Sequence, residues 1–169
     1  MLFLSLRVIH MLLAAIWIGA AALLTFVVLP AIEDAGQAGN ATMAAMARQG
    51  LVVLMAVLGG MTALTGLVLF WHFTGGFDPE ISRSHAGMAF GIGGAFGLLA
   101  TILGASVTGR SAKKMIAAIE KAAAAPEGPA RAALVQEAAS HRARVLSSGR
   151  IGLLFMIIAM VCMAVGHYV

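Results

Sequence analysis

The sequence predicts an all-α membrane protein: an up-down-up-down bundle of four transmembrane helices, in which helices three and four extend into the cytoplasm. Two observations carry this prediction. The 169-residue chain is 61% hydrophobic and only 11% charged, whereas soluble domains carry roughly 25% charged residues. Its apolar residues lie in four runs of about 20, long enough for the ~30 Å hydrocarbon core at 1.5 Å rise per residue. We expect one integral membrane domain over residues 1–169.

The four runs cover Leu2–Leu29, Leu51–Phe73, His85–Val107 and Ile151–Val169. Each is expected to be helical, because backbone N–H and C=O groups in lipid must be paired within their own segment. We expect Pro30 to end the first helix, since proline lacks an amide hydrogen and clashes with the preceding turn.

The connections between the runs differ in kind. Residues 31–48 are predicted to be a short polar linker in which Asn40 caps a helix, and residues 74–84 to be a turn-rich connection. The longest connection contains two Ala-rich charged stretches, Ser111–Ala125 and Ala130–Ser147. Both are rich in helix formers, so we expect an antiparallel hairpin that continues helices three and four.

The basic residues predict the orientation. In the alternating arrangement, Arg7 and Arg83 lie on the side of both termini, and nine Lys/Arg residues lie on the other. Those nine are Arg48, Arg110, Lys113, Lys114, Lys121, Arg131, Arg142, Arg144 and Arg150. The positive-inside rule then places the nine in the cytoplasm and both termini outside, in the periplasm for a bacterial inner membrane. We therefore expect a lipid bilayer, and not nucleic acid, to explain the net charge of +4.

Four of the five histidines are the main candidates for chemistry. They are His10, His72, His85 and His167, one in each run. Each lies between its helix centre and the side of the termini, so we expect the four to form one layer. Helix bundles build metal and cofactor sites from inward side chains of this kind. Placement at the membrane interface is the alternative reading. The fifth, His141, lies in the charged hairpin and is expected to have no special role.

Methionine and small residues add two further patterns. Met156, Met160 and Met163 precede His167 by helical spacings, and Met88 follows His85. Thioether sulfur suits Cu(I), although methionine also fills cores.

Around the histidines, Trp17 lies on the helical face of His10, and the glycine-rich start of run three leaves a shallow surface. That surface fits either a planar macrocycle or close helix packing. Arg7 and Arg83 are candidate partners for haem propionates.

The run HMLLAAIWIGAAALL, in which His10 precedes Trp17 by seven residues and Gly19 follows, resembles the first helix of two families. One is the CopD-like copper resistance proteins. The other is the HemJ-like four-helix proteins, which bind haem b and are linked to protoporphyrinogen oxidation. The resemblance covers some 20 residues, and MAVGHYV at the chain end is loosely similar to CopD relatives. It implies that His10 is a haem or copper ligand.

These patterns favour a membrane b-type cytochrome with one or two haems b. The predicted axial pairs are His10 with His85 and His72 with His167, and the redox partner would be quinone or a periplasmic protein. Bis-histidine iron has no open position, which favours electron transfer.

A CopD-type copper-binding or transport protein is the second hypothesis, with the histidines, Met88, Met160 and Met163 as ligands. A cofactor-free structural subunit is the third. No catalytic residue is identified, and whether the protein is an oxidoreductase and whether it forms a homo-oligomer or joins a complex stay open.

Overall fold

The computed structural model describes all 169 residues except the side chain of Leu2. The described chain is helical and contains no β-strand, which confirms the all-α class. In chain order the helices are α1 (Leu2–Leu23), α2 (Leu29–Asp34), α3 (Gly36–Arg48), α4 (Leu51–Phe73), α5 (Pro79–Ser82), α6 (His85–Leu103), α7 (Gly109–Ala124) and α8 (Pro129–Val165). Two π-helical turns, Leu24–Val28 and Gly104–Thr108, join α1 to α2 and α6 to α7.

Four helical stretches are long and apolar enough to cross a membrane. They are Phe3–Asp34, Leu51–Phe73, His85–Ala124 and Pro129–Val165. Only 17–28% of the apolar part of each is buried within the protein. Large apolar side chains such as Ile16 remain more than half exposed, and lipid is the solvent that would cover so much apolar surface. The prediction of four helices able to span a membrane is confirmed.

The first helix does not end at Pro30 as predicted. The preceding π-helical turn changes the bonding pattern, so that the Leu29 N–H donates to the Leu24 carbonyl, five residues back. Such wider turns absorb local interruptions of a helix. Pro30 then falls in the first turn of α2, where its missing N–H is tolerated, and the helical path continues to Asp34.

Residues 36–48 form helix α3 and are not a polar linker. Asn40 lies inside α3 and not at its N-cap, so that prediction was also wrong. The helix follows α2 after a sharp bend, for which Gly36 adopts a φ of +57°. Gly39 then packs directly on the Ile32 backbone, where a Cβ atom would overlap the carbonyl. The low hydropathy of α3 hides its helical character, because tertiary packing and not composition stabilises it.

The other connections agree better with the sequence. Residues 74–84 contain turns and the short helix α5, which Asp78 caps by accepting from the Glu80 and Ile81 amides at 2.8 and 3.2 Å. The two Ala-rich stretches are helical, and α8 runs unbroken from Pro129 through the fourth apolar run. That helix ends at Val165 and not at Val169, so His167 lies in a terminal turn.

Contacts within the chain group into two compact units. Unit 1 comprises Met1–Gly19, Val57–Ile102 and Ile151–Val169, and unit 2 comprises Ala20–Ala56 and Leu103–Arg150. A single membrane domain over residues 1–169 stays a prediction.

Unit 2 has a conventional apolar core drawn from α2, α3, α7 and α8. Its buried members are Leu29, Ile32, Met43, Ala44, Met115, Ala118, Ile119, Ala138 and Val145. Met115 is fully buried among them. Beside this core, the Arg142 guanidinium donates to Asn40 Oδ1 at 2.6 Å. Asn40 therefore joins α3 to α8 by its side chain.

Unit 1 is held together at glycines. A Cβ atom on Gly93 of α6 would lie 3.1 Å from the Ala159 carbonyl of α8, and one on Gly166 would lie 2.8 Å from the Phe90 ring. Small residues are the usual means by which helices approach closely where lipid removes the hydrophobic drive for association. The glycines of run three thus serve close helix packing, at least at Gly93.

Met115→Ala should lower the free energy of unfolding by about 2–5 kcal/mol, because it leaves a cavity at a fully buried position. Thermal unfolding of the protein in detergent, followed by circular dichroism, measures the change. Val135→Ala, at a half-exposed position of α8, is the control and should change stability by about 0.5 kcal/mol or less. Equal effects of the two substitutions would contradict the core assigned to unit 2.

Candidate histidine site

His10 is the most buried of the four candidate histidines, with 9% of its surface exposed. Its ring faces α4, and Nδ1 lies 3.0 Å from the Thr62 carbonyl oxygen and 3.0 Å from Thr65 Oγ1. A carbonyl oxygen can only accept a hydrogen bond. The geometry therefore places the ring hydrogen on Nδ1.

Thr65 supports the same assignment. Its hydroxyl donates to the Met61 carbonyl at 2.7 Å and also lies 3.1 Å from the Thr62 carbonyl. Because the hydroxyl hydrogen is used in this way, Thr65 Oγ1 is free to accept from His10. In the neutral ring Nε2 then keeps its lone pair, and it has no hydrogen-bond partner among the described residues. Metal-ligating histidines commonly donate their second N–H to a carbonyl in this manner.

Two glycines of α4 pack against His10 and Trp17 of α1. A Cβ atom on Gly66 would lie 2.8 Å from His10 Cε1, and one on Gly59 would lie 2.8 Å from Trp17 Cζ2. Trp17 itself is only 6% exposed. Both aromatic rings therefore occupy space that any larger residue on α4 would fill.

The sequence analysis missed Gly59 and Gly66, although a signal for them exists. The interval from His10 to Trp17 is seven residues, and so is the interval from Gly59 to Gly66. Two turns of one helix match two turns of another, since seven residues bring a helix back to the same face.

The other candidate histidines are held differently. The His72 ring lies 5.0 Å from the Phe3 ring, and the His167 ring lies 5.2 Å from the Phe90 ring. His85 is the first residue of α6 and is exposed. No hydrogen bond or ring contact among the described residues joins His10 to His85 or His72 to His167.

The histidines also differ in depth. Phe3, which contacts His72, precedes His10 by seven residues on α1. At 1.5 Å per residue that separation is about 10 Å along the helix, so His10 and His72 are not placed in one layer. Within the described residues no group of three His, Cys, Asp or Glu side chains is arranged to hold a metal ion.

The two candidate arginines, Arg7 and Arg83, also have different surroundings. The half-buried Arg7 guanidinium donates to Nε2 of His167, so it engages a histidine. Arg83 is exposed and follows α5, where its backbone amide donates to the Pro79 and Ile81 carbonyls.

The candidate methionines do not share one environment. Met88 and Met160 are about half exposed, and Met156 is buried. Met163 packs at Gly93, where an added Cβ atom would lie 3.1 Å from its Cγ. Burial of Met156 and the contact of Met163 with Gly93 are the behaviour of packing residues.

Comparison of the chain with protein-family models, curated proteins and solved structures found no match.

Gly66→Ala should destabilise the protein by about 1–3 kcal/mol, because the new methyl group overlaps the His10 ring and forces it to move. Gly60→Ala is the matched control, since a Cβ atom on Gly60 meets nothing within 4 Å. Alanine is favoured over glycine in helices by about 0.5–1 kcal/mol, so the control should be neutral or slightly stabilising. Thermal unfolding in detergent separates the two, and a tolerated Gly66→Ala would show that His10 does not pack on α4.

Proposed function

We propose that this protein is a membrane b-type cytochrome that binds haem b through His10 and transfers electrons. The observation that carries the proposal is the state of His10: its Nδ1–H is directed to Thr62 and Thr65, and its Nε2 lone pair has no partner among the described residues. A polar group inside an apolar span is expensive and is a functional candidate by default. The proposal also draws on the resemblance of the first helix to HemJ-like and CopD-like proteins, which implies that His10 is a ligand.

His85 is proposed as the second axial ligand. Nε2 of His167 accepts from Arg7, and the His72 ring lies against Phe3. The His85 side chain makes no hydrogen bond or ring contact with any described residue, so it is the histidine left available. This choice favours one haem over two.

The residues around His10 would position its ring and would not themselves carry the electron. Thr62 and Thr65 fix its tautomer and orientation, Gly66 gives it room, and Arg7 keeps His167 engaged elsewhere. The haem supplies one-electron chemistry when bound. If His10 and His85 both held the haem iron, no position would be left open for oxygen, which favours electron exchange with quinone or a periplasmic redox protein.

The proposal includes alternating helix direction and a cytoplasmic hairpin. Along α1 and α4, Phe3 meets His72, His10 meets Gly66 and Trp17 meets Gly59, a register in which residue numbers rise on one helix and fall on the other. Contacts of α6 and α8 follow the same rule, with Phe90 near Gly166 and Phe96 near Phe155. With that order, nine of eleven Lys/Arg residues fall on one side, which supports termini in the periplasm of a bacterial inner membrane.

Purified protein expressed with ample haem should be red and should show the reduced spectrum of a low-spin b-type cytochrome. His10→Ala should abolish the haem or convert it to high spin, because a methyl group cannot replace an axial nitrogen. His85→Ala should do the same if the two residues share one iron. Absorption spectroscopy with haem quantification measures each effect.

His72→Ala and His141→Ala are the controls, and both should retain the low-spin spectrum. A colourless protein would end the haem proposal, and so would a spectrum that survives His10→Ala. Metal analysis of the same sample tests the copper alternative, for which bound copper that is lost in a Met160→Leu/Met163→Leu variant would be the positive result.

Orientation is tested by labelling single cysteines in intact cells, in a Cys162→Ala background. A cysteine introduced as Glu80→Cys should react with a membrane-impermeant thiol reagent, because the α5 segment is predicted to lie outside. One introduced as Glu127→Cys should react only after the cells are opened. The reverse pattern would place the termini, and the histidines, on the cytoplasmic side.

A further inference from the structure

A basic cavity lies within unit 2, beside α7 and α8. Its volume is about 230 Å³, several times the ~30 Å³ that one water molecule occupies in the liquid. The lining residues are Ser106, Val107, Arg110, Ser111, Lys114, His141 and Arg144. None of the seven is acidic.

Three exposed basic residues line this cavity and have no acidic partner among the described residues. Within the described part of the chain, the side chains of Arg110, Lys114 and Arg144 make no ion pair. Other basic residues of unit 2 do find carboxylates, as Arg131 does with Glu127 at 3.5 Å. Like charges gathered around one space repel one another, and a bound anion would relieve that repulsion.

His141 also lines the cavity, and one of its ring nitrogens is unpaired within the described chain. Its residue surface is 8% exposed, and its buried Nδ1 has no hydrogen-bond partner among the described residues. The opposite ring nitrogen, Nε2, lies 3.8 Å from the Glu137 carboxylate, the acidic group nearest the ring. A buried nitrogen without a partner costs free energy. The expectation that His141 has no special role stays a prediction.

The position of the cavity relative to the apolar runs indicates which class of ligand it would bind. Val107 ends the third apolar run, and the basic residues begin three positions later with Arg110. The cavity thus lies where a membrane-spanning segment gives way to charged helix, which is the level of lipid headgroups. Basic pockets at this level are suited to phosphate-bearing headgroups.

We propose that this cavity binds a phosphate group, with the headgroup of an anionic lipid as the expected source. Arg110, Lys114 and Arg144 provide the charge, and the Ser111 hydroxyl provides a further hydrogen-bond donor. The inference rests on the membrane-spanning helices and is independent of haem.

The test uses the full chain in an uncharged detergent. Short-chain phosphatidic acid, short-chain phosphatidylcholine and inorganic phosphate are titrated separately, and binding is followed by calorimetry. Phosphatidic acid should bind saturably, and Lys114→Ala or Arg144→Ala should each weaken it about five- to tenfold, as expected for loss of one cation near a phosphate. Phosphatidylcholine should not saturate, because its choline group cancels the charge.

Lys113→Ala is the matched control, since Lys113 adjoins Lys114 on α7, is exposed and does not line the cavity. It should leave the affinity unchanged. Inorganic phosphate that binds as tightly, with the same sensitivity to Lys114→Ala, would support the site and identify a free phosphate compound as its ligand. Absence of saturable binding by either phosphate probe, or equal losses in Lys113→Ala and Lys114→Ala, would overturn the proposal. Circular dichroism of each variant confirms that it is folded.

Discussion

Backbone hydrogen bonding is the constraint on which the rest of the structure depends. Four long apolar segments leave their amide and carbonyl groups no partner in hydrocarbon except within the helix itself. The segments are therefore helical over nearly their whole length, and the helical path continues through Pro30 after a π-helical turn. Lipid also removes most of the hydrophobic drive that would bring these helices together. Close approach at glycine takes its place, as at Gly59, Gly66 and Gly93.

His10 shows how such packing can create a chemical site. Gly66 admits the imidazole to the surface of α4, and that closeness lets Nδ1 reach the Thr62 carbonyl. The threonine carbonyl already belongs to a helix, so the histidine uses a lone pair that helix bonding leaves free. One small residue thereby determines the position of the ring, its tautomer and the nitrogen that remains available. The proposed function depends on that nitrogen.

Unit 2 follows different rules, because its helices carry charged as well as apolar residues. Met115 and its neighbours form a core of the kind found in soluble proteins, and Asn40 bonds to Arg142 at its edge. The α7 and α8 stretches thus contribute buried residues to this core as well as carrying charge. Arg110, Lys114 and Arg144 remain exposed on these helices and line the cavity.

The sequence by itself determined the helical class, the four helices long enough to span a membrane and the helical nature of the charged stretches, because hydropathy and composition act locally along the chain. It also identified His10 as a candidate, by its place in an apolar run. Only the tertiary structure decided that α3 is a helix, that His10 and His72 lie at different depths, that Arg7 engages His167 and that His141 lines a cavity. Each of these depends on contacts between residues far apart in the chain, and the helical period alone cannot specify which face of one helix meets which face of another.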